Sequence, residues 1–516
     1  MRLLTVLFAS ALFAGPALAH DQSENMGSGA APALPASAPT AATAGKVSFP
    51  NSGAPAAQAP FLRGLALLHD FEYDRAIAEF RAAQAADPGF AMAYWGEAMA
   101  YNHPVWMEQD ADKARAVMAR LGATPAARAA KAPTAREKAY LGALEVLYGA
   151  GTKDERDFLY ADAMASVFAR YPDDVDARSF YALSLLGLAH EGRDVALYMR
   201  AAALLEEVFP ANPQHPGVLH YLIHSYDDPD HAPLGMRAAR LYADVAPDAG
   251  HALHMTSHIF LASGMWDDTV MVNQRAMAVV NAQRAAAGQG PAFCGHYNEW
   301  LVYAELQRGR MREADAIIEG CLAQANRELA DKPATTPFEP GRSAVRSWSD
   351  QAIRHLVEAG HWPHGKPTLP ATGYLTTRIT LAYGDVLIAA DGAAAKTARE
   401  RLAAVAAQAR AAQSPDTAEG RYLDGRLKVL EAQAAGIEAL RAGRADAGIA
   451  ELRRAAALEV SLPVEFGPPA IEKPSFELLG DELARLGRRP EAIAAYREAL
   501  KHAPGRRISA AGAARG

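Results

Sequence analysis

The stretch HYLIHSYDDPDHAPLGMRAARLYADVAPDAGHALHMTSHIF, His220 to Phe260, decides how this chain is read. It holds two histidine pairs, His220/His224 and His254/His258, each spaced by four residues. That spacing sets both rings of a pair on one face of a helix. The pairs are themselves offset by one interval, since 254 − 220 = 34 and 258 − 224 = 34. A recurrence of that length marks stacked helix–turn–helix units. Equivalent positions of two successive units therefore carry histidine.

Working outward, Pro213 and Pro247 close successive units and are again 34 residues apart. The first unit runs from Phe61 to Asp70 and from Tyr73 to Ala86, and Asp87-Pro88 ends it. Gly64, Ala76, Phe80 and Pro88 stand where a tetratricopeptide (TPR) repeat needs small, small, aromatic and proline. AMAYWGEAMAYNHPVW opens the next unit at Ala91, and Ser475 to Pro504 forms a regular closing one. Between them, apolar residues recur at helical spacing, punctuated by Gly and Asp-Pro, with no alternating strand pattern. The expected fold is all-α. It is a TPR-like α-solenoid, a right-handed superhelix of antiparallel helix pairs over residues 57–504. The pattern is irregular at about 332–415, although RSWSDQAIRHLVEAGHW and YLTTRITLAYGDVLIAADG still read as helices.

The ends read differently. Residues 1–19 combine a basic start (Arg2), an apolar run from Leu3 to Phe13 and Ala17-Leu18-Ala19. That is the pattern of a cleaved signal peptide, so the expected location is exported, periplasmic or extracellular. Residues 20–56 are rich in Ala, Pro and Ser and read as a disordered tether. Residues 505–516 read as a flexible basic tail. No later stretch is apolar enough for a transmembrane span of the mature chain. Net charge is −7, from 52 basic and 59 acidic residues, with no basic run, which argues against nucleic acid as a partner. The two cysteines, Cys294 and Cys321, sit on a helical hairpin that turns at Arg308-Gly309-Arg310. The start of its first helix lies beside the end of its second, so a disulfide is expected. The rival reading makes Cys294 a metal ligand beside His296.

Five stretches carry a resemblance: ALLHDFEYDRAIAEFRAAQAADPGFAMAYWGEAMAYNHPVW, HYLIHSYDDPD, HALHMTSHIFLASGMWDD, HYNEWLVYAELQRGR and VEFGPPAIEKPSFELLGDEL. They are similar to a family of secreted or periplasmic bacterial TPR proteins with no settled activity. Phe476 departs from that pattern, where histidine is expected. The resemblance implies that positions 2, 5 and 9 of the first helix of each repeat face the concave groove. On that register His220 and His254 take position 5, His224 and His258 position 9, and His251 position 2. His296 joins at position 5 if the loop 285–292 is an insertion, and Glu299 shares its face. The expected site has His220, His224, His254 and His258 at its heart and His251, His296 and Glu299 at its margin. His69 and His103, also 34 apart, fall on the groove side but several helices away. Trp95 and Trp106 read as core.

Imidazole suits Zn, Cu or Fe. A site with three or four protein ligands and an open position can activate water or hold an anion. HxxxH alone lacks the internal glutamate of a zinc-protease helix. Ser257 points off the histidine face and makes a poor nucleophile candidate. Three functions remain open. One is an exported binding protein whose groove holds a transition-metal ion and a small or peptide ligand. Another is a metal-dependent hydrolase or oxidase using the same cluster. The last is a metal-free scaffold that binds a protein partner.

Overall fold

The first helix pair, Pro55–His69 and Tyr73–Ala86, shows how a unit is built. A Cβ on Gly64 would lie 3.0 Å from the Phe80 ring, so the small residue lets the helices close. Ala76 and Phe80 are fully buried at that contact. Gly96, in the next helix, leaves room for the same Phe80 ring, since a Cβ there would lie 2.3 Å from it. Polar residues mark the helix starts: Thr134 with Glu137, and Thr152 with Glu155, form reciprocal capping boxes.

The computed structural model describes residues 43–331, 336–340, 342–363 and 373–515. Among these residues there are 23 α-helices, and successive helices pack against one another down the chain as an α-solenoid. The expected signal peptide lies outside the described residues. The one strand pairing described is a small antiparallel ribbon, Asn102–His103 against Glu108–Gln109. The less regular region continues the array with Ala344–Ala359, Leu375–Leu387 and Gly392–Ala412. No helix among the described residues is long and apolar enough to cross a membrane.

The array is not an open spiral. Its first helix packs against Pro216–Ser225, the helix that carries His220 and His224. Gly217 makes this possible, because a Cβ there would come within 2.3 Å of His69 Nδ1. One large apolar core fills the N-terminal half and a second fills the C-terminal half. Trp300 and Tyr303 pack with Leu261 between them.

Two end assignments change. The expected tether ends early, because residues 43–54 pack onto the array. Phe49 is buried against Phe61, Trp95 and Tyr140, with the Arg136 guanidinium 3.9 Å from its ring centre. Its neighbour Ser52 bonds Glu137 through both N–H and hydroxyl. Phe49, Ser52 and Ala54, whose N–H donates to Asp87, anchor the stretch together. The expected tail is a helix, Arg507–Ala513. Before it, buried Arg506 forks onto Glu477 at 2.8 and 2.9 Å and reaches Glu358 at 3.2 Å. Its third nitrogen donates to the Tyr303 hydroxyl. The expected disulfide is formed: Cys294 and Cys321 have Cα atoms 4.8 Å apart.

Arg506→Ala would remove one of two cations from the Glu477 and Glu358 carboxylates, which keep Lys473 and Arg507 respectively. Urea unfolding should show a loss of about 1–3 kcal/mol. An unchanged midpoint would mean the C-terminal clasp contributes nothing.

Candidate metal centre

Six of the seven expected site residues are brought together. The backbone does this with three helices: Pro216–Ser225, Gly250–Ala262 and His296–Gln307. All six histidines are buried, at 0–5 % exposure. They do not line an open groove, because the turn 69–72 of the first repeat packs onto them through the His69 carbonyl, Glu72 and the Phe71 ring. They also do not form one four-cornered site. They divide into two triads, His220/His224/His251 and His254/His258/His296, and within each the ligand atoms lie inside 4.8 Å of one another. Glu299 is the exception. Its carboxyl bonds Ser347, and burial, then the charge of Asp350, push its pKa upward. It belongs to the contact with helix Ala344–Ala359 and not to the histidines.

The ring nitrogens of the triads are not partnered as in ordinary packing. His258 directs Nδ1 at Asp227. His254 directs Nδ1 at Asn273 Oδ1, 2.7 Å away. The Asn273 amide is fixed because its Nδ2 donates to the Thr269 carbonyl. Both rings thus donate from Nδ1, which leaves a lone pair on each Nε2. Those two Nε2 atoms are 3.2 Å apart. Two lone pairs do not make a hydrogen bond, so the contact needs a cation, a proton or a metal ion. Nitrogens held about 2.1 Å from one ion, at angles between square and tetrahedral, are separated by roughly 3.0–3.4 Å.

The first triad has a similar layout. His220 donates from Nδ1 to the His69 carbonyl at 2.6 Å. Its Nε2 is 3.2 Å from that of His251, whose Nδ1 lies 3.4 Å from the Tyr297 hydroxyl. His224 completes the set, and neither of its ring nitrogens meets a hydrogen-bond partner. A buried imidazole satisfied at neither end is costly unless something binds it. Such an outer shell on Nδ1, with Nε2 turned inward, is how metal-binding histidines are oriented.

Burial sets the charge state. It lowers the pKa of His220 to about 3. It drives those of His224 and His251 well below the ordinary value, helped by the neighbouring rings. These rings stay neutral, as metal ligands must.

A third cluster, His69/Asp176/His215, is partnered differently. His215 Nδ1 accepts the Val218 N–H, so its Nε2 hydrogen goes to Asp176, 3.3 Å away. His69 bonds Asp176 through Nε2 and Tyr221 through Nδ1, both at 2.9 Å. Both ring nitrogens of His69 and of His215 have partners, and the set holds His69 in place. His69 is therefore not several helices distant, since its carbonyl touches the centre. His103 stays apart, stacked on Tyr73 with ring centres 4.0 Å apart. Ser257 gives its hydroxyl to the His254 carbonyl at 2.6 Å.

The histidine spacing does not reveal the aromatic caps. Phe71 lies over the first triad, with ring centres 4.3, 5.9 and 5.6 Å from His220, His224 and His251. Its backbone has φ 59°, which a bulky side chain rarely adopts. Trp300 covers the second triad at 4.9, 4.3 and 5.3 Å from His254, His258 and His296. Phe476, where the family pattern expects histidine, stacks on His502 away from the centre.

No protein-family model matches the chain, and no curated protein matches it. Among solved structures, the Cut9–Hcn1 hetero-tetramer of the APC/C is similar over 89 % of this chain and 76 % of its own. Its sequence identity is 11 % and its TM-score 0.33. Human IFIT1 bound to m7Gppp-AAAA is similar over 89 % of both chains, at 13 % identity and TM-score 0.32. Superpositions this loose carry no argument about this chain.

The histidine pKa values have a consequence for the metal-free protein. The folded values lie below the unfolded value near 6.5, so the unfolded chain takes protons first. Stability should be full above pH 6.5 and fall as pH drops toward about 3, the His220 value. The slope should reach about 1.4 kcal/mol per pH unit for each such histidine. Denaturant midpoints that stay flat between pH 7 and 5 would contradict neutral buried rings.

Proposed function

We propose that this chain is an exported metal-binding repeat protein in which each histidine triad holds one transition-metal ion. One observation carries the reading: buried His224 has both ring nitrogens without a hydrogen-bond partner, in a triad whose other members have Nδ1 already directed at outer-shell groups. Three nitrogens per ion leave coordination positions open, as in reactive sites. Zn, Cu and Fe all suit an imidazole set. The carboxylate Asp227, behind His258, would strengthen that ring as a donor. Export fits the signal-like start and the Cys294–Cys321 bridge, which persists in oxidising surroundings.

All six histidines are buried, at 0–5 % exposure, which leaves no broad approach for a large ligand. A cleft of about 850 Å³ does exist, between residues 45–50 and 211–215, with Arg136 and Asp174 on its wall. A peptide partner would sit there and not on the triads. This makes a hydrolase of large substrates the weaker reading.

Untagged protein, purified without chelator, should carry two ions per chain, one for each triad. His224→Ala should lose one and keep the helical circular dichroism spectrum. Protein that purifies without metal, takes none up and has the same stability with and without added ions would leave the metal-free scaffold.

A further inference from the structure

The two triads are too close to be independent. The helix Gly250–Ala262 supplies His251 to the first and His254 and His258 to the second. Three residues separate His251 from His254, a rise of about 4.5 Å along the axis. Across the boundary, the His224 and His258 ring centres are 6.0 Å apart, and those of His251 and His254 are 6.3 Å apart. The six rings thus form one continuous set.

The caps give this set a direction. Phe71 contacts all three rings of the first triad and Trp300 all three of the second. Each triad has its own aromatic cover, and open coordination positions turned to the boundary, where His224 meets His258 and His251 meets His254, would face each other. Charge points the same way. Imidazole that ligates a metal is a neutral ligand and carries no charge, and Asp227 on His258 supplies one negative charge. Two divalent ions would leave a large positive excess in the interior, which burial penalises. A small anion between the ions would offset it.

We infer that the two triads form a single dinuclear centre in which a small bridging anion, of hydroxide or azide size, joins both ions. The inference rests on the metal-binding reading above. It adds that the ions share a ligand.

Copper(II) is a suitable probe whatever ion is native, because bridged copper ions couple their spins. The full chain would be loaded with copper(II), desalted, analysed for copper and measured by electron paramagnetic resonance. The expected result is two coppers per chain with most of the spin intensity missing. His224→Ala and, separately, His258→Ala should each hold one copper whose signal accounts for all the metal. Their circular dichroism spectra establish that they fold. Azide should shift the absorption of the wild-type copper form and have less effect on the single-copper variants. Two coppers at full spin intensity would overturn the shared ligand but leave the metal reading standing. One copper per chain would overturn the dinuclear centre. No retained copper would overturn both.

Discussion

His220 gives its Nδ1 hydrogen to the backbone carbonyl of His69, a residue 151 positions earlier. That bond joins the turn of the first repeat to the helix that begins the histidine centre. Neighbouring contacts depend on the same closure. The N–H of His251 reaches Glu72 at 3.3 Å, the Tyr242 hydroxyl donates to Asp70 at 2.7 Å, and Phe71 between them covers the first triad. Burial holds Asp70 well above the usual carboxylate range, and the Tyr242 hydroxyl partly offsets that. The four residues 69–72 therefore close the centre with backbone, carboxyl and ring together. Phe71 adopts its unfavourable φ because this docking over-determines it.

The helical repeat was legible because its signals are local. Gly64, Ala76 and Phe80 touch within one helix pair, so their spacing reports their contact. The six histidines were legible for a related reason. The 34-residue period places His220 and His254 on adjacent first helices, and HxxxH keeps each partner on the same face. Their division into two triads was not legible. It depends on how far His251 leans toward His220, which is a matter of side-chain direction and not of register. Glu299 shows the limit of face arguments: three residues from His296, it turns to the next helix pair because Ser347 waits there.

Contacts across the superhelix left almost no trace in the chain. A linear reading of a solenoid joins each unit only to its neighbours. It cannot place His69 on His220 or Arg506 on Tyr303, 203 residues away. Gly217 was the available clue, a glycine in the first turn of a helix where Ala would be the better former. Phe49 and Arg506 stood out only as one aromatic and one arginine in otherwise bland ends, and burial is not written in composition.

Closure also restricts what the array can become. An ordinary solenoid can gain or lose a repeat, because each unit meets only the next. Here the turn 69–72 is a wall of the centre, so the rotation accumulated between it and His251 has one permitted value. One unit inserted between residues 90 and 215 would carry His69 away from Gly217 and open the histidines to solvent. The number of repeats in the N-terminal half is thus fixed by the site that they enclose. The C-terminal half is closed in its own way, because Arg506 reaches the Tyr303 hydroxyl and the Trp266 indole donates to the Gly505 carbonyl, so the units between them are held to one number as well.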